Sequence, residues 1–529
     1  MRGPSVLLAS VLSLFSPRAL AQAPLGGEFR ANTYTTADQT RPKVAHDSSG
    51  NFIVLWESSG GQEPGAMTGV FAQRYASSGT PLGGEMHVNT YTTDEQFLGQ
   101  ASFDSSGNFV IVWRTGLQDG SGAGIFARRY ASSGAPLAPE FQVNVFTTGA
   151  QGAPFVAHEP NGDFVVVWTS LNQDGGSYGV FGQRFASSGS RLGGEFQVNT
   201  FTVGIQLASG LAANTAGDFL VAWTSLNQDG DMYGVYAQRF ASNGSTLGGE
   251  FRVNTYTTGH QLVPSVGRGA NGGFVVAWGS AQEGSSYGIV ARRFASDGSP
   301  LGAEFLVNTF TTGEQGRVAV ASDSSGAFVV AWESANQDSP ASRGIYAQRF
   351  DPDGTPRGAE FRANTYTTQN QVGPSVSSDP VGNFVISWGS LGPQDGSLYA
   401  VISQRYSCPT LTSSTIGVAG STSVCTGGTG GTATVTDVGG FSATHQWAFR
   451  TSVMPMGSYT PIPGETGSTY LVKYSDFPGP GFYFIVCATT PACGSFTFTN
   501  EIAVTVSGDA MGPTVSPPAA SAVTQTLCQ

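Results

Sequence analysis

Tryptophan recurs along this chain at a nearly fixed interval: Trp56, Trp113, Trp168, Trp223, Trp278, Trp332 and Trp388. The spacings are 57, 55, 55, 55, 54 and 56 residues. An asparagine keeps the same rhythm, at Asn32, Asn89, Asn144, Asn199, Asn254, Asn308 and Asn364. Two positions after each stands Tyr or Phe, and seven positions after each stands Gln, from Gln39 to Gln371. A repeat of this length is one supersecondary unit, too small to bury its apolar face except against copies of itself.

Each unit reads as four short strands. In one of them these are Glu140 to Asn144, Pro154 to Ala157, Asp163 to Trp168 and Gly179 to Phe185, separated by Gly-, Asn- and Ser-rich turns. The strand ending at the tryptophan is apolar without alternation, as a strand covered on both faces must be. Four strands per unit with both faces covered describe a propeller blade, so the expectation is an all-β, seven-bladed β-propeller. A Glu-Phe-x-x-Asn strand (Glu28 to Asn32) precedes the first tryptophan, and none follows Gln404-Arg405-Tyr406. Insertion of that spare N-terminal strand into the last blade would close the ring and remove its open edge.

The first segment carries an export signature. Arg2, a mostly apolar run from Val6 to Phe15 and Ala19-Leu20-Ala21 predict a signal peptide over 1–21, cleaved before Gln22. The expected divisions are then 22–407 for the propeller, 408–507 for a second β domain and 508–529 for a Pro-, Ala- and Thr-rich tail. No later stretch reaches the roughly 18 apolar residues of a membrane-spanning helix. A secreted or cell-surface location follows as the expectation.

A net charge of −12, with Lys43 and Lys473 the only lysines, argues against nucleic acid as a partner. In an antiparallel blade the tight Asp47-Ser-Ser-Gly50 and Ala76-Ser-Ser-Gly79 turns share one end. The Asn-Thr-Tyr-Thr-Thr segments and the loops after each tryptophan share the other. Those loops vary most and carry one acidic residue each: Asp119, Asp174, Asp229, Glu283, Asp338 and Asp395. Variable loops on a rigid scaffold are where recognition resides, so these six are the candidate binding residues. The seven tryptophans are assigned to the blade cores. Calcium is a candidate ligand for the loop carboxylates, but single carboxylates lack the dense oxygen set of a dedicated calcium loop, and no cofactor is expected. The recurring arginines, such as Arg74 near Glu85, are expected to make ion pairs or backbone contacts.

Catalytic residues would break the repeat. The five histidines (His46, His87, His158, His260, His445) are scattered. There is no metal-ligand spacing, nucleophile elbow or phosphate-binding loop, and no arginine cluster stands apart from the repeat. The chain therefore reads as a binding or adhesion protein for a glycan or extracellular protein, not an enzyme. A purely structural scaffold is the alternative, and a propeller glycoside hydrolase or lyase the third reading.

The unit Gln-Asp-Gly…Gly-Val-x-Ala-Gln-Arg-Phe…Glu-Phe-x-Val-Asn-Thr resembles repeats of large exported bacterial proteins. That resemblance implies an extracellular role without a defined activity. All five cysteines lie beyond residue 407. There, Val424-Cys425-Thr-Gly427, Trp447, Tyr483 to Val486, Cys493 and Ile502 to Val506 resemble the immunoglobulin-like modules of bacterial surface proteins. The resemblance implies a β-sandwich and a Cys425–Cys493 disulfide, leaving Cys408 with Cys487. Four cysteines alone permit three pairings. Cys528 lies in the tail, whose last residues look like the start of a further such module.

Overall fold

The computed structural model describes residues 24–63, 67–283, 286–392, 394, 398–407 and, beyond these, 413–419, 423–425, 429–438, 443–451, 460–462, 469–473, 481–491, 497–498 and 502–507. The predicted signal peptide and tail lie outside them, as do Asp395, Cys408, Cys493, Cys528 and the side chains of Glu283, Cys425 and Cys487.

Residues 29–406 form seven four-stranded antiparallel sheets, a seven-bladed β-propeller. From the axis outward, blade 1 is Gln39–His46, Phe52–Ser59, Thr68–Tyr75 and Met86–His87. The innermost strands pack against one another around the axis, Gln39–His46 also meeting Gln371–Ser378 of blade 7. Helix is confined to two single turns, Ala270–Gly272 and Ala281–Glu283, among the described residues.

The second strand of every blade is buried almost throughout, because each of its faces meets a different neighbour. Phe52, Val54 and Trp56 pack with Val385 and Val401 of blade 7. Ile53 and Leu55 pack with Ile111 and Trp113 of blade 2. All seven repeat tryptophans are at most 1% exposed. Each large apolar side chain buried this way contributes about 1.5–3 kcal/mol, which lets the propeller stand without a cysteine.

Sequence unit and blade are offset by one strand. Phe141–Gln142, expected to open the unit that contains Trp168, pairs instead with Ala123–Tyr130 as the outermost strand of blade 2. It is also shorter than expected. The Asn144 side chain takes over the ladder at 2.7 Å, its Oδ1 accepting from the Ile125 backbone N–H. The same bond recurs from Val70 to Asn89 and from Val180 to Asn199, so the recurring asparagine is a strand-edge staple. At the ring's seam Phe29–Arg30 lies outermost in the sheet of Gln371–Ser378, Phe384–Leu391 and Tyr399–Tyr406, with Phe29 opposite Ser403.

The tight turns obey their residues. Asp47 Oδ1 accepts from the N–H groups of Ser49 (2.8 Å) and Asn51 (2.9 Å), while Gly50 supplies a φ of 80° that only glycine adopts without strain.

The strands beyond residue 412 form two further sheets. One joins Ser413–Ala419, Thr429–Val438 and Thr469–Lys473. The other is built on Ala443–Thr451 and Gly481–Pro491, flanked by Ile502–Ser507 and Thr460–Pro461. Trp447 is fully buried 5.4 Å from Tyr470.

Candidate functional site

Of the two ends of the ring, the loop end was expected to carry the site. The structure places the described acidic residues there, turned inward. Asp119 Oδ2 accepts from Asn144 Nδ2 at 3.2 Å, and Asp229 Oδ2 from Asn254 Nδ2 at 3.2 Å. Asp338, its side chain wholly buried, accepts from Asn364 Nδ2 and from the Tyr346 hydroxyl, both at 2.6 Å. Asp174 accepts from the Gly176 N–H at 3.0 Å. In blade 1 the equivalent is Glu63, bonded to Asn89 Nδ2 at 2.7 Å. Each of these carboxylates lies over a glycine of the following strand. A Cβ on Gly124 would stand 2.7 Å from Asp119 Oδ2, so that glycine makes room for the carboxylate. Asp174 Oδ2 and Asp229 Oδ1 are buried with no hydrogen-bond partner among the described residues. No group of three or more His, Cys, Asp or Glu side chains suited to a metal occurs among the described residues.

A second carboxylate per blade was not singled out from the sequence. Glu140, just before the outermost strand of blade 2, accepts from the Thr90 N–H of the incoming segment at 2.6 Å and from Gln118 of the loop at 2.7 Å. Glu250 repeats this with Thr200 and Gln228, and Glu360 with Thr309 and Gln337. The clue was the invariant Glu four residues before each staple asparagine. Each clamp ties a loop and an incoming segment to the same carboxylate.

The recurring arginines work at the opposite, tight-turn end. Of the two contacts expected for them, Arg74 makes the backbone one and not a pair with Glu85: its guanidinium donates to the Ser132 and Ser133 carbonyls of the next blade's turn. Arg129 reaches Ser188 in the same way, and Arg405 reaches Ser77 and Ser78 across the seam. The cause is geometric: Glu85 belongs to the opposite end, bonded to Thr33 and Gln62. Between blades 2 and 3, the tight-turn end has a cavity of about 300 Å³ lined by Asp104, Arg129, Asn161 and His158. Burial lowers the His158 imidazole to about 4, and that of His46, at the same repeat position, to about 3. Both rings are therefore neutral at physiological pH.

What departs from the repeat collects around the central channel. The seven innermost strands contain no Asp or Glu, and their only charged residues are Arg41, Lys43, Arg268 and Arg317. Every one of these strands has a register shift two or three residues after its Gln. At that bulge Arg41 and Arg317 adopt left-handed φ values of 49° and 48°, rarely populated by non-glycine residues. Bulges re-aim side chains, and these two are 56% and 66% exposed at the channel's loop-face mouth.

Each arginine leans on a buried glutamate that follows a tryptophan. Arg41 Nη1 bonds Glu57 Oε2 at 2.9 Å, and Glu57 Oε1 accepts the Leu98 N–H at 2.7 Å. Arg317 Nε lies 3.4 Å from Glu333 Oε1, which also accepts the Gly373 N–H at 2.5 Å. Burial raises both carboxyls above their ordinary range, opposed by these bonds and by the arginines. In blade 2 the equivalent position is Arg114, whose guanidinium lies 4.3 Å from the centre of the Phe97 ring; that of Arg41 lies 5.9 Å from it. Lys43, two residues deeper than Arg41, is held below its usual value by burial first and then by repulsion from Arg317 and Arg41, against the pull of Glu57. Arg41, Lys43, Arg114 and Arg317 come from three blades, so the sequence reading that no arginine cluster departs from the repeat is corrected here. Alignment of the seven innermost strands, column by column, carries the signal.

No protein-family model matches this chain, and no curated protein sequence matches it. Among solved structures it is similar to a protein of unknown function from Dyadobacter fermentans, at 12% identity and a TM-score of 0.42 over 59% of this chain and 94% of that one. An α-L-arabinofuranosidase from Fusarium graminearum is similar at 11% identity and 0.43, over 72% and 98%. A leech intramolecular trans-sialidase is similar at 9% and 0.40, over 72% and 70%. Likenesses this distant carry nothing about chemistry.

Proposed function

We propose that this chain is a secreted or cell-surface binding protein whose propeller recognises a glycan or an extracellular protein at its loop face. One observation carries the reading. A face tied together by repeated carboxylate clamps surrounds a channel mouth whose side chains break the repeat. Structural necessity explains the repeated residues; Arg41 and Arg317 stand at this bulge in two blades only, and their pairing with buried glutamates leaves the side chains 56% and 66% exposed at the mouth. The same reading has residues 1–21 exporting the chain, the strand at Phe29–Arg30 closing the ring, and the second β domain as an immunoglobulin-like spacer. The Phe29–Ser403 pairing supports the closure. The unpartnered oxygens of Asp174 and Asp229 keep calcium as a ligand to test.

The test is a glycan and extracellular-protein array probed with the mature chain, in calcium and in chelator. Specific binding that survives Asp119→Ala but falls on mutation of the channel mouth places recognition at the axis. Binding that falls with Asp119→Ala and Asp174→Ala instead moves it to the outer loops, and loss in chelator adds calcium. A scaffold role is the second reading, favoured by the engagement of the loop carboxylates in the fold; an array with no specific ligand would favour it.

A further inference from the structure

We propose that the channel mouth between Arg317 and Arg41 binds an anionic group, a carboxylate or sulfate carried on a sugar. This rests on the binding reading above and names the chemistry of its ligand. Blades 6 and 1 carry the two bulge arginines, and blade 7 between them carries Gly373 at the same strand position. A Cβ on Gly373 would meet Arg317 Nη1 at 3.8 Å, so the guanidinium extends over a notch left by the missing side chain. Among the described residues, Arg317 engages its glutamate through Nε only, and Arg41 through one Nη. A guanidinium has five N–H donors in a planar fork, so both keep donors for a planar anion. Lys43 makes no salt bridge or hydrogen bond through its ammonium among the described residues, and sits where Arg41 and Arg317 repel it. An anion in the notch would relieve that repulsion.

The other half of the mouth selects for a sugar. Phe97 lies beneath Arg114, and Leu207 and Val263 stand on the far side, 36% and 55% exposed. An anionic group faces blades 6, 7 and 1, and the apolar faces of the ring meet Phe97 of blade 2, Leu207 of blade 4 and Val263 of blade 5. Long polyanions are disfavoured by the net charge of −12. At physiological salt, fields fade over about 8 Å. The arginine cluster therefore governs only the mouth, and the ligand presents one or two charges there.

The experiment is calorimetric titration of the full mature chain with oligogalacturonate, a sulfated chondroitin oligosaccharide and a neutral galactose oligosaccharide. Binding of one or both acidic probes, weakened at least about tenfold by R41Q/R317Q and by raised salt, is the expected result. Binding of oligogalacturonate shows that a carboxylate suffices; binding of the sulfated probe alone points to sulfate, since both probes carry carboxylates. Loss of Arg41 removes the only ion pair of buried Glu57 among the described residues, whereas Glu333 keeps Arg343 Nη1 at 3.3 Å, so R41Q/E57Q/R317Q is run beside it. That variant keeps an acceptor for the Leu98 N–H and the Arg343–Glu333 pair, and should lose binding while unfolding closer to the wild-type temperature than R41Q/R317Q. Acidic probes that bind both variants as tightly as wild type would overturn the assignment. Neutral probe bound as tightly as acidic would overturn the anion while sparing the binding reading. No probe bound at all would sink both for glycans.

Discussion

The inward-facing loop carboxylates give a sharp test, because a glycine and an acid must exclude each other's alternatives. In Gly124→Ala the new Cβ would lie 2.7 Å from Asp119 Oδ2 and 2.9 Å from its Cγ. The carboxylate must then swing out and leave Asn144 Nδ2, which retains the Phe146 carbonyl at 3.0 Å. A hydrogen bond to a charged group is worth about 1.5–3 kcal/mol. Alanine recovers about 0.5–1 kcal/mol over glycine in a strand. The net cost of Gly124→Ala is therefore about 1–2 kcal/mol. In an Asp119→Ala background the obstruction is gone, and the same substitution becomes neutral or mildly stabilising. The pair thus couples by about 1.5–3 kcal/mol, the value of the lost bond, readable as urea midpoints in a double-mutant cycle of the mature chain. Additive effects of the two substitutions would refute the clash, and with it the inward placement of Asp119.

Three further outcomes follow from the same geometry. Removal of residues 22–32 should bare the Tyr399–Tyr406 edge, lower the unfolding temperature and produce concentration-dependent association on gel filtration; an unchanged monomer would show that the strand is dispensable. Trp223→Ala should cost about 3–5 kcal/mol, since the indole is fully buried between blades 3 and 4, and chemical denaturation that leaves the midpoint unchanged would contradict that packing. His158 has a folded-state value of about 4, depressed from 6.5 by burial. Its contribution is complete above about pH 6.5 and is lost as pH falls towards 4, so His158→Gln should flatten the decline of stability in that window, measured by thermal melts from pH 7 to 4.

The sequence made the propeller legible because each blade repeats the same local problem. Trp168 inside Phe164–Leu171 marks a strand that needs two apolar neighbours, and seven such strands need a ring. The recurring Asn and Gln serve the backbone: Asn144 staples the ladder, and Gln151 Nε2 holds the Thr148 carbonyl at 3.2 Å. The loop acids were legible as a set, but not their direction. The glycine five residues beyond Asp119 was the available sign that its carboxylate folds inward. Of the ion pair or backbone contact expected for Arg74, the backbone contact is the one made; its nearness to Glu85 in sequence did not tell which end of the blade the side chain faces.

A fixed period determines which residues are equivalent, and from that alone come the blade count, the core and the paired turns. It cannot determine what happens where seven units meet, because the ring axis belongs to none of them. Arg41, Lys43, Arg114 and Arg317 lie on three blades in distant parts of the chain, and each looks unremarkable within its own unit. Only the packing of the sheets around one axis brings them to one mouth of the ring. Repetition is written in the chain; convergence is a property of the ring.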